Sequence, residues 1–394
     1  MTMQRRLLLG ATLAAGATAS GLARAQGARL RLGYMMAKSG PYVSLANTNE
    51  IAVDLAVEEI NARGGVNGMP VEVVKFDTAG EPRQATIALR RFASDDGVLG
   101  VIGPFSSSEV RTTFPVGERE GLAQMSMASS APGLTKNFPF GFRNTTDEAV
   151  VIEQVLAAIK AKGLPAATGA AAYATDDVVS KSIGTDVIPA LFQKFGIALR
   201  GSATFQFAAF DLSPQVAQLK GMAPDIIGLG SPPEGAVNLS RELRRQGVST
   251  RVIGGTTIAD PELPRRMEGA GENLTIGTTF FPEVNDRTRA FAAEFARRTK
   301  AAGLPRTEPN QMDASVYDIV HLYAEAMKRA GVTGRAEKRA EERKAVRDAL
   351  AGIKELPLLE GPISFNADRD AVKPIYVLEV KSGRWSLLDT RMPG

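Results

Sequence analysis

Short apolar runs alternate with longer amphipathic segments along most of the chain, and this alternation restricts the possible folds more than any other feature. Strands that alternate with helices form parallel β-sheets covered by helices on both faces. With 394 residues the chain is too long for one ordinary domain, and the repeated units suffice for two sheets. We therefore predict an α/β protein with strands at 30–36, 71–77, 98–102, 123–127, 170–174, 198–205, 225–229 and 251–254.

Two of the segments between these runs have clear helical patterns. In 50–63, Ile51, Leu55 and Ile60 recur at helical spacing, and the pair Gly64-Gly65 that follows is a helix stop. The segment 335–350 is crowded with Lys, Arg and Glu. The interleaved glutamates favour a solvated surface helix there over a functional basic patch.

The first 25 residues read as an export leader. Arg5 and Arg6 precede a weakly apolar stretch, which ends in Ala23-Arg24-Ala25, a small-x-small cleavage pattern. We expect cleavage after Ala25 and a periplasmic protein, exported by the general or the twin-arginine route. A membrane anchor is the competing interpretation, but Gly, Ala, Thr and Ser dilute the stretch below the roughly 20 strongly apolar residues of a span.

The charge balance argues against a nucleic-acid partner. The formal charge of the whole chain is +4, but three of its 47 basic residues lie in the leader. The remainder has 44 basic and 43 acidic residues, so no excess of positive charge is left to meet a polyanion.

The residues available for catalysis are few. The chain has no cysteine and one histidine, His321, which lies on the apolar-periodic segment 316–327 and is predicted to be structural. Zinc sites and serine–histidine relays are therefore disfavoured, because they need cysteine or histidine side chains. Neither a Walker loop nor a dinucleotide fingerprint occurs. We predict no enzymatic activity, no metal and no cofactor.

Two serine-rich segments follow predicted strands. In 102–109 a buried strand ends in Gly-Pro, and Ser106 and Glu109 have the spacing of a capping box at the start of a helix. A helix N-terminus with serine hydroxyls binds anions, although simple helix capping explains the pattern equally well. The segment 125–134 repeats the plan, with Pro132 suited to a first helical turn. Because ligands bind at the carboxyl edge of open α/β sheets, both segments together indicate a site for a carboxylate or carbonyl group.

These segments closely resemble the Leu/Ile/Val-binding family, the type I periplasmic binding proteins of bacterial ABC transporters. The resemblance covers nearly the whole mature chain. Its most specific stretch is ARGGVNGMPVEVVKFDTAGEPRQA at 62–85, followed by GVIGPFSSS and ASSAPGLT. The segments 231–234 and 361–366 also stand where the family has similar motifs.

The resemblance implies two Rossmann-like lobes joined by a hinge of three crossover strands, with the ligand in the cleft between the lobes. The crossovers are expected near 143–146, 278–281 and 361–364. After the leader 1–25, the N-terminal lobe would then contain 26–145 and 280–361, and the C-terminal lobe 146–279 and 362–394. Hinge closure would bury the ligand, and the membrane permease would recognise the closed state.

The resemblance implies a ligand-binding role only for the individual positions of this chain that match binding positions of the family. In amino-acid binders of the family the first serine edge holds the ligand carboxylate, and the second supplies a backbone carbonyl and a hydroxyl. The second lobe adds aromatic residues and an acid for the ligand ammonium. The positions of this chain that match or adjoin those sites, and that we predict to bind ligand, are Ser107, Ser108, Ala128, Ser129, Ser130, Tyr42, Leu45, Val178, Ser231 and Thr256.

Several of these positions depart from the family pattern. Val178 and Ser231 replace aromatic residues, Leu45 occupies an aromatic site with Tyr42 three residues earlier, and Thr256 stands where the family has its ammonium-binding acid. An ammonium buried without an anion is strongly unfavourable. The departures predict a carboxylic acid without an α-amino group, unless one of three nearby acids replaces the missing one: Asp176, Asp177 or Asp260.

The sequence thus favours a monomeric transport receptor, with a small carboxylate or amino acid as ligand and permease subunits as partners. A ligand-sensing module that regulates a receptor or an operon is the alternative. An enzyme is the third hypothesis, which the missing catalytic residues disfavour.

Overall fold

The computed structural model describes residues 29–393, so the predicted leader lies outside the described residues. Two parallel sheets are formed, and each is covered by helices on both faces. The strands of the first sheet are β1 (Leu30–Met36), β2 (Val71–Asp77), β3 (Gly100–Ile102), β4 (Gln124–Ser126) and β5 (Gly141–Arg143). Their order across the sheet is β2-β1-β3-β4-β5, and every neighbouring pair is parallel.

The second sheet has seven strands. They are β6 (Thr168–Ala174), β7 (Ala198–Phe205), β8 (Ile226–Gly230), β9 (Arg251–Gly254), β10 (Leu274–Thr278), and then, after three strands of a small separate sheet, β14 (Ile375–Lys381) and β15 (Arg384–Arg391). The order is β15-β14-β10-β9-β8-β6-β7, in which β14 and β15 are antiparallel additions. The small sheet contains β11 (Leu356–Leu358), β12 (Gly361–Phe365) and β13 (Ala371–Val372).

Thirteen α-helices lie in the described part of the chain, together with 3₁₀ turns at Thr256–Ile258 and Ala336–Lys338 and a π-helical turn at Ile183–Val187. The α-helices are α1 (Val43–Ala46), α2 (Asn49–Ala62), α3 (Pro82–Ser94), α4 (Ser107–Glu120), α5 (Glu148–Ala161), α6 (Val178–Ser182), α7 (Ile188–Phe195), α8 (Ser213–Met222), α9 (Pro233–Arg245), α10 (Leu263–Arg266), α11 (Asp286–Ala301), α12 (Gln311–Arg329) and α13 (Arg339–Ala351).

The eight predicted strands are all present, four of them with the predicted bounds, and the predicted parallel α/β architecture is confirmed. Helix α2 matches the prediction for 50–63 to within one residue at each end. The charged helix α13 exposes Glu341, Lys344 and Asp348 but buries Glu342 and Arg343. It also packs Val346 and Leu350 into the first lobe's core, so it is only partly the solvated helix that was predicted. The antiparallel pair β14–β15 was not predicted.

Three passages of the chain connect the lobes. The first follows β5 and leads into α5, and the second follows β10 and leads into α11. The expected position of the third, 361–364, is wrong, because Ile363 and Phe365 of β12 pack into the core of the first lobe. The chain crosses instead at Lys373 and Pro374, between β13 and β14. The lobe boundaries otherwise stay a prediction.

A buried polar cluster ties the three passages together. The Glu360 carboxylate pairs with Lys373, and both side chains are fully buried. It also accepts hydrogen bonds from Asn144 Nδ2 at 3.1 Å and from Thr279 Oγ1 at 2.6 Å. Each passage therefore contributes a group to one carboxylate, which fixes the strands at the base of the cleft.

Candidate ligand-binding cleft

A cavity lies between the two lobes at the carboxyl ends of β3, β4, β6, β8 and β9. The space between its lining atoms is about 460 Å³, with open solvent included. The lining is largely apolar, with polar groups from both lobes. It comprises Tyr42, Leu45, Phe105, Ser106, Ser107, Ala128, Asp177, Val179, Ser180, Phe207, Ser231, Pro232, Thr256, Thr257 and Met312.

The first lobe presents the N-terminus of α4 to this cavity. Ser106 caps the helix: its side chain accepts from the Glu109 amide at 3.2 Å, while the Glu109 carboxylate accepts from the Ser106 amide at 2.8 Å. The predicted capping box is thus confirmed. The first amides of a helix lack intrahelical partners and give its end a partial positive charge, which stabilises an anion there.

Ser107 joins the two serine-rich segments. Its hydroxyl oxygen accepts a hydrogen bond from the Ala131 amide at 3.3 Å. Among the described residues no acceptor takes the hydroxyl hydrogen of Ser107, so that hydrogen is free to bind a ligand. Ser108 follows it on α4 and lies outside the cavity lining, with its oxygen 3.0 Å from that of Ser106.

The second serine-rich segment follows β4, which is the parallel neighbour of β3. Ala128 lines the cavity, whereas the buried residues Ser129 and Ser130 do not. Arg143 holds this loop from behind, because its Nη1 donates to the carbonyl oxygens of Ser129 at 3.1 Å and Ala131 at 2.6 Å. The loop thus presents backbone and a small side chain to the cavity.

Aromatic side chains form the apolar wall. The Tyr42 ring lies 5.4 Å from the ring of Phe105 in the same lobe and 6.1 Å from the ring of Phe207 in the second lobe. Leu45 and Met312, both buried, complete the wall on the first lobe. Tyr42 and Leu45, the two positions considered for the family's aromatic site, therefore both line the cavity.

The second lobe contributes a carboxylate. Asp177 Oδ1 accepts from the Tyr42 hydroxyl at 3.2 Å, and its Oδ2 caps α6 by accepting from the amide and hydroxyl of Ser180 at 2.9 and 2.7 Å. Val178 lies behind it and packs against a cluster of the first lobe, while its neighbour Val179 lines the cavity.

Of the three acids considered as replacements for the missing one, only Asp177 lines the cavity. Asp176 accepts from the Phe207 amide at 2.6 Å, and Asp260 pairs with Arg266 at 3.0 Å. Within residues 29–393, Asp177 is the only charged side chain in the lining. The cavity therefore has one fixed negative charge.

The remaining predicted residues of the second lobe, Ser231 and Thr256, both line the cavity. The Ser231 hydroxyl donates to the neighbouring Pro232 carbonyl at 2.9 Å. The Thr256 hydroxyl donates to the carboxylate of Glu148, a fully buried residue at the start of α5.

Glu148 was not identified from the sequence. Its Oε1 accepts from the Ser130 hydroxyl at 3.2 Å and from the Thr257 amide at 3.2 Å, and its Oε2 accepts from the Thr256 amide at 3.2 Å. Burial raises the pKa of Glu148 to about 7. An acid in the first helical turn after Asp147 resembles ordinary helix capping, so the sequence contained no separate signal for this role.

Other candidate groups lie elsewhere. His321 is on α12, where its ring lies 4.6 Å from that of Tyr317, and burial lowers its pKa to about 4. Across residues 29–393, no three acidic or histidine side chains are grouped as metal ligands would be. In that same part of the chain, no helix has the length and apolar character needed to cross a membrane.

Comparison with known families and proteins agrees with this geometry. The profile of the family described as "Periplasmic binding protein" matches residues 29–384. The Leu/Ile/Val-binding protein BraC3 of Rhizobium johnstonii is 25% identical over 376 residues, which cover 94% of this chain and 95% of that protein. The Leu/Ile/Val-binding protein of Escherichia coli K12 is 26% identical over 63% of this chain and 66% of its own length.

Solved structures share the fold. The leucine binding protein LivK of Thermotoga maritima superposes with a TM-score of 0.78 at 22% identity, covering 92% of this chain and 99% of that one. A solute binding protein of an R. palustris ABC transporter, in complex with 4-hydroxybenzoate, also gives 0.78, at 17% identity over 93% and 97% of the two chains.

Proposed function

Because this chain belongs to the Leu/Ile/Val-binding family of type I periplasmic binding proteins, whose members bind solutes and are not enzymes, we propose that it is the extracytoplasmic receptor of an ABC transporter and captures a small apolar amino acid. The observation that supports this best is the pairing, in one cavity, of a helix N-terminus with a single carboxylate.

The N-terminus of α4 is the proposed site for the ligand carboxylate. The Ser107 hydroxyl and the first amides of the helix supply donors, and hydrogen bonds to a charged group contribute about 1.5–3 kcal/mol each. Ala128, on the adjoining loop, offers a backbone carbonyl to the same end of the ligand.

Asp177 is the proposed partner of the ligand ammonium. Thr256 in place of the family's acid predicted a ligand without an amine, but the carboxylate of Asp177 in the lining argues against that preference. With no Lys or Arg in the lining within the described residues, a purely anionic ligand would meet Asp177 without compensation. A zwitterion brings a positive charge to Asp177 and a negative charge to α4.

The rest of the lining suits an apolar side chain. Leu45, Phe105 and Met312 of the first lobe face Phe207 and Val179 of the second. Burial of apolar surface contributes about 25 cal/mol per Å². The names of the relatives from R. johnstonii and E. coli, both Leu/Ile/Val-binding proteins, support the same ligand class.

Transfer to the membrane would follow closure of the lobes. The hydrogen bond between Tyr42 and Asp177 joins the lobes directly across the cavity. A ligand that binds both lobes stabilises the closed state, and a permease that recognises this state would receive only loaded receptor.

A binding screen tests the proposed ligand class. We expect leucine, isoleucine, valine or phenylalanine to raise the unfolding temperature of the purified protein and to give a calorimetric titration. Benzoate, 4-hydroxybenzoate and 4-methylpentanoate serve as matched acids without the amine. If only these acids bind, the zwitterionic ligand class is rejected. The ligand without an amine, which Thr256 predicted, would then be supported.

Export is proposed on the leader alone, which lies outside the described residues. We expect the periplasmic protein to begin at Gln26, and mass spectrometry of that fraction measures it. A product that still contains residues 7–23 would contradict the assignment of a released receptor.

A further inference from the structure

Thr257 was not among the ligand-binding residues predicted from the sequence. It lies in the 3₁₀ turn after β9, next to Thr256, and lines the same cavity. Its hydroxyl oxygen is buried and has no hydrogen-bond partner within residues 29–393. Most buried hydroxyl groups are satisfied, so this one requires an explanation.

The two adjacent threonines are used differently. Thr256 gives both its amide and its hydroxyl to the Glu148 carboxylate, so its side chain is already satisfied. Thr257 gives Glu148 only its amide, at 3.2 Å, and keeps its hydroxyl free. Thr256, which stands at the position of the family's acid, therefore has no free hydroxyl hydrogen for a ligand.

Glu148 fixes this turn firmly. Its two oxygens receive two amides and one hydroxyl from residues 256 and 257, and the Ser130 hydroxyl from the first lobe. The contact also requires glycine before the turn, because a Cβ at Gly255 would lie 1.7 Å from Glu148 Oε2. The direction of the Thr257 side chain is thus set by a buried group and not by a mobile loop.

Other buried hydroxyls without partners in the described chain lie away from the cavity. Those of Thr113, Ser129, Thr145 and Thr146 belong to residues outside its lining. Thr257 combines a free buried hydroxyl with a place in the ligand cavity.

From this combination we infer that Thr257, held in place by Glu148, donates or accepts a hydrogen bond with a polar group of the bound solute and so contributes to specificity. The inference rests on the proposed function, since it assigns a contact within the same cleft. Glu148 is the positioning residue, because it acts on the ligand through Thr257.

Calorimetric titrations of leucine, phenylalanine, 4-methylpentanoate and 4-hydroxybenzoate into matched variants test the inference. Thr257→Val keeps the shape of threonine but removes the hydroxyl, and should weaken the tightest of these ligands by about tenfold. Thr257→Ser keeps the hydroxyl and should remain within about threefold of the wild type. Thr113→Val removes a buried, unpaired hydroxyl outside the cavity and should leave affinity unchanged.

The possible results distinguish a failure of the Thr257 inference from a failure of the proposed function. Wild-type affinity in Thr257→Val, with its ligand-free unfolding temperature retained, would overturn the assignment of Thr257 but leave the receptor intact. Equal losses in Thr257→Val and Thr257→Ser would show that shape, and not the hydroxyl, is responsible, which also overturns it. If the wild type binds none of the four compounds, the proposed ligand class and this contact both fail.

Discussion

The Tyr42 hydroxyl of the first lobe donates a 3.2 Å hydrogen bond to the Asp177 carboxylate of the second lobe, across the mouth of the cavity. Burial, reinforced by the neighbouring Asp177 charge, raises the pKa of Tyr42 well above its ordinary value, so the hydroxyl keeps the proton that it donates. In the proposed closure of the lobes, this contact would form only when the lobes come together. Its free energy would then add to the closed state and, through it, to ligand affinity.

Tyr42→Phe should weaken ligand binding. The variant keeps the ring that packs against Phe105 and Phe207 but loses a hydrogen bond to a charged group, so we expect affinity to fall about tenfold. Calorimetry with leucine measures the effect. Tyr173→Phe, which removes a hydroxyl of the second lobe outside the lining, is the control; an unchanged affinity in Tyr42→Phe would show that the contact does not stabilise the closed state.

Asp177→Asn should separate the two ligand classes. Asparagine caps helices as well as aspartate does, so α6 should be retained while the charge is removed. We expect leucine to bind at least about tenfold more weakly, since its ammonium loses a counter-charge, while 4-methylpentanoate binds no more weakly than before. Parallel losses for both compounds would remove Asp177 from the ammonium site.

Glu148→Gln should change how stability depends on pH. Burial raises the pKa of Glu148 from 4.5 to about 7, so the folded protein retains a proton that the unfolded chain has already released between these values. The contribution of Glu148 to stability is full below pH 4.5 and is lost as the pH rises through about 7. The shift corresponds to a loss of about 3 kcal/mol.

Urea unfolding at pH 4.5 and pH 7.5 measures this loss. The wild type should lose more stability between the two values than Glu148→Gln does. Asp318, whose pKa burial also raises to about 7, is present in both proteins, so its effect cancels in the comparison. Identical pH dependence in the two proteins would show that Glu148 is ionised throughout.

Lys373→Met should destabilise the hinge. The substitution leaves the buried Glu360 carboxylate without its cation, which typically reduces the free energy of unfolding by about 3–5 kcal/mol. Lys344→Met removes the partner of Asp348 from an exposed pair and should change stability by less than about 1 kcal/mol. Chemical unfolding compares the two; similar small effects would mean that water reaches Glu360.

The apolar periodicity of the sequence was sufficient to predict the parallel sheets. Strands such as 30–36 and 198–205 are continuous local patterns, and their pairing follows from the α/β alternation. Strands β14 and β15 were not predicted because they form an antiparallel hairpin directly after the short strands of the small sheet, where no alternation with helices marks them. The third crossover was misplaced for the same reason.

The candidate site was likewise predictable from the sequence only where its signals are local. The capping box at Ser106 is a local signal of four residues, and the sequence shows it completely. Glu148 and Thr257 are 109 residues apart, and their contact arises only because α5 packs beside β9 in the second lobe. Ser130 shows the limit of transferring roles by position, since its hydroxyl faces Glu148 and not the cavity.

The buried guanidinium of Arg143 joins parts of the chain that are made at very different times. It holds the carbonyls of Ser129 and Ala131 while both its Nε and its Nη2 pair with Asp370 at 2.6 Å, 227 residues further along. During synthesis, the loop that bears Ala128 exists long before the aspartate that fixes its scaffold. A nascent or truncated chain that lacks Asp370 leaves this arginine without its main anion and the loop without a firm support. In the proposed receptor, the loop that bears Ala128 is therefore fully supported only when the segment with Asp370 has folded back onto the first lobe.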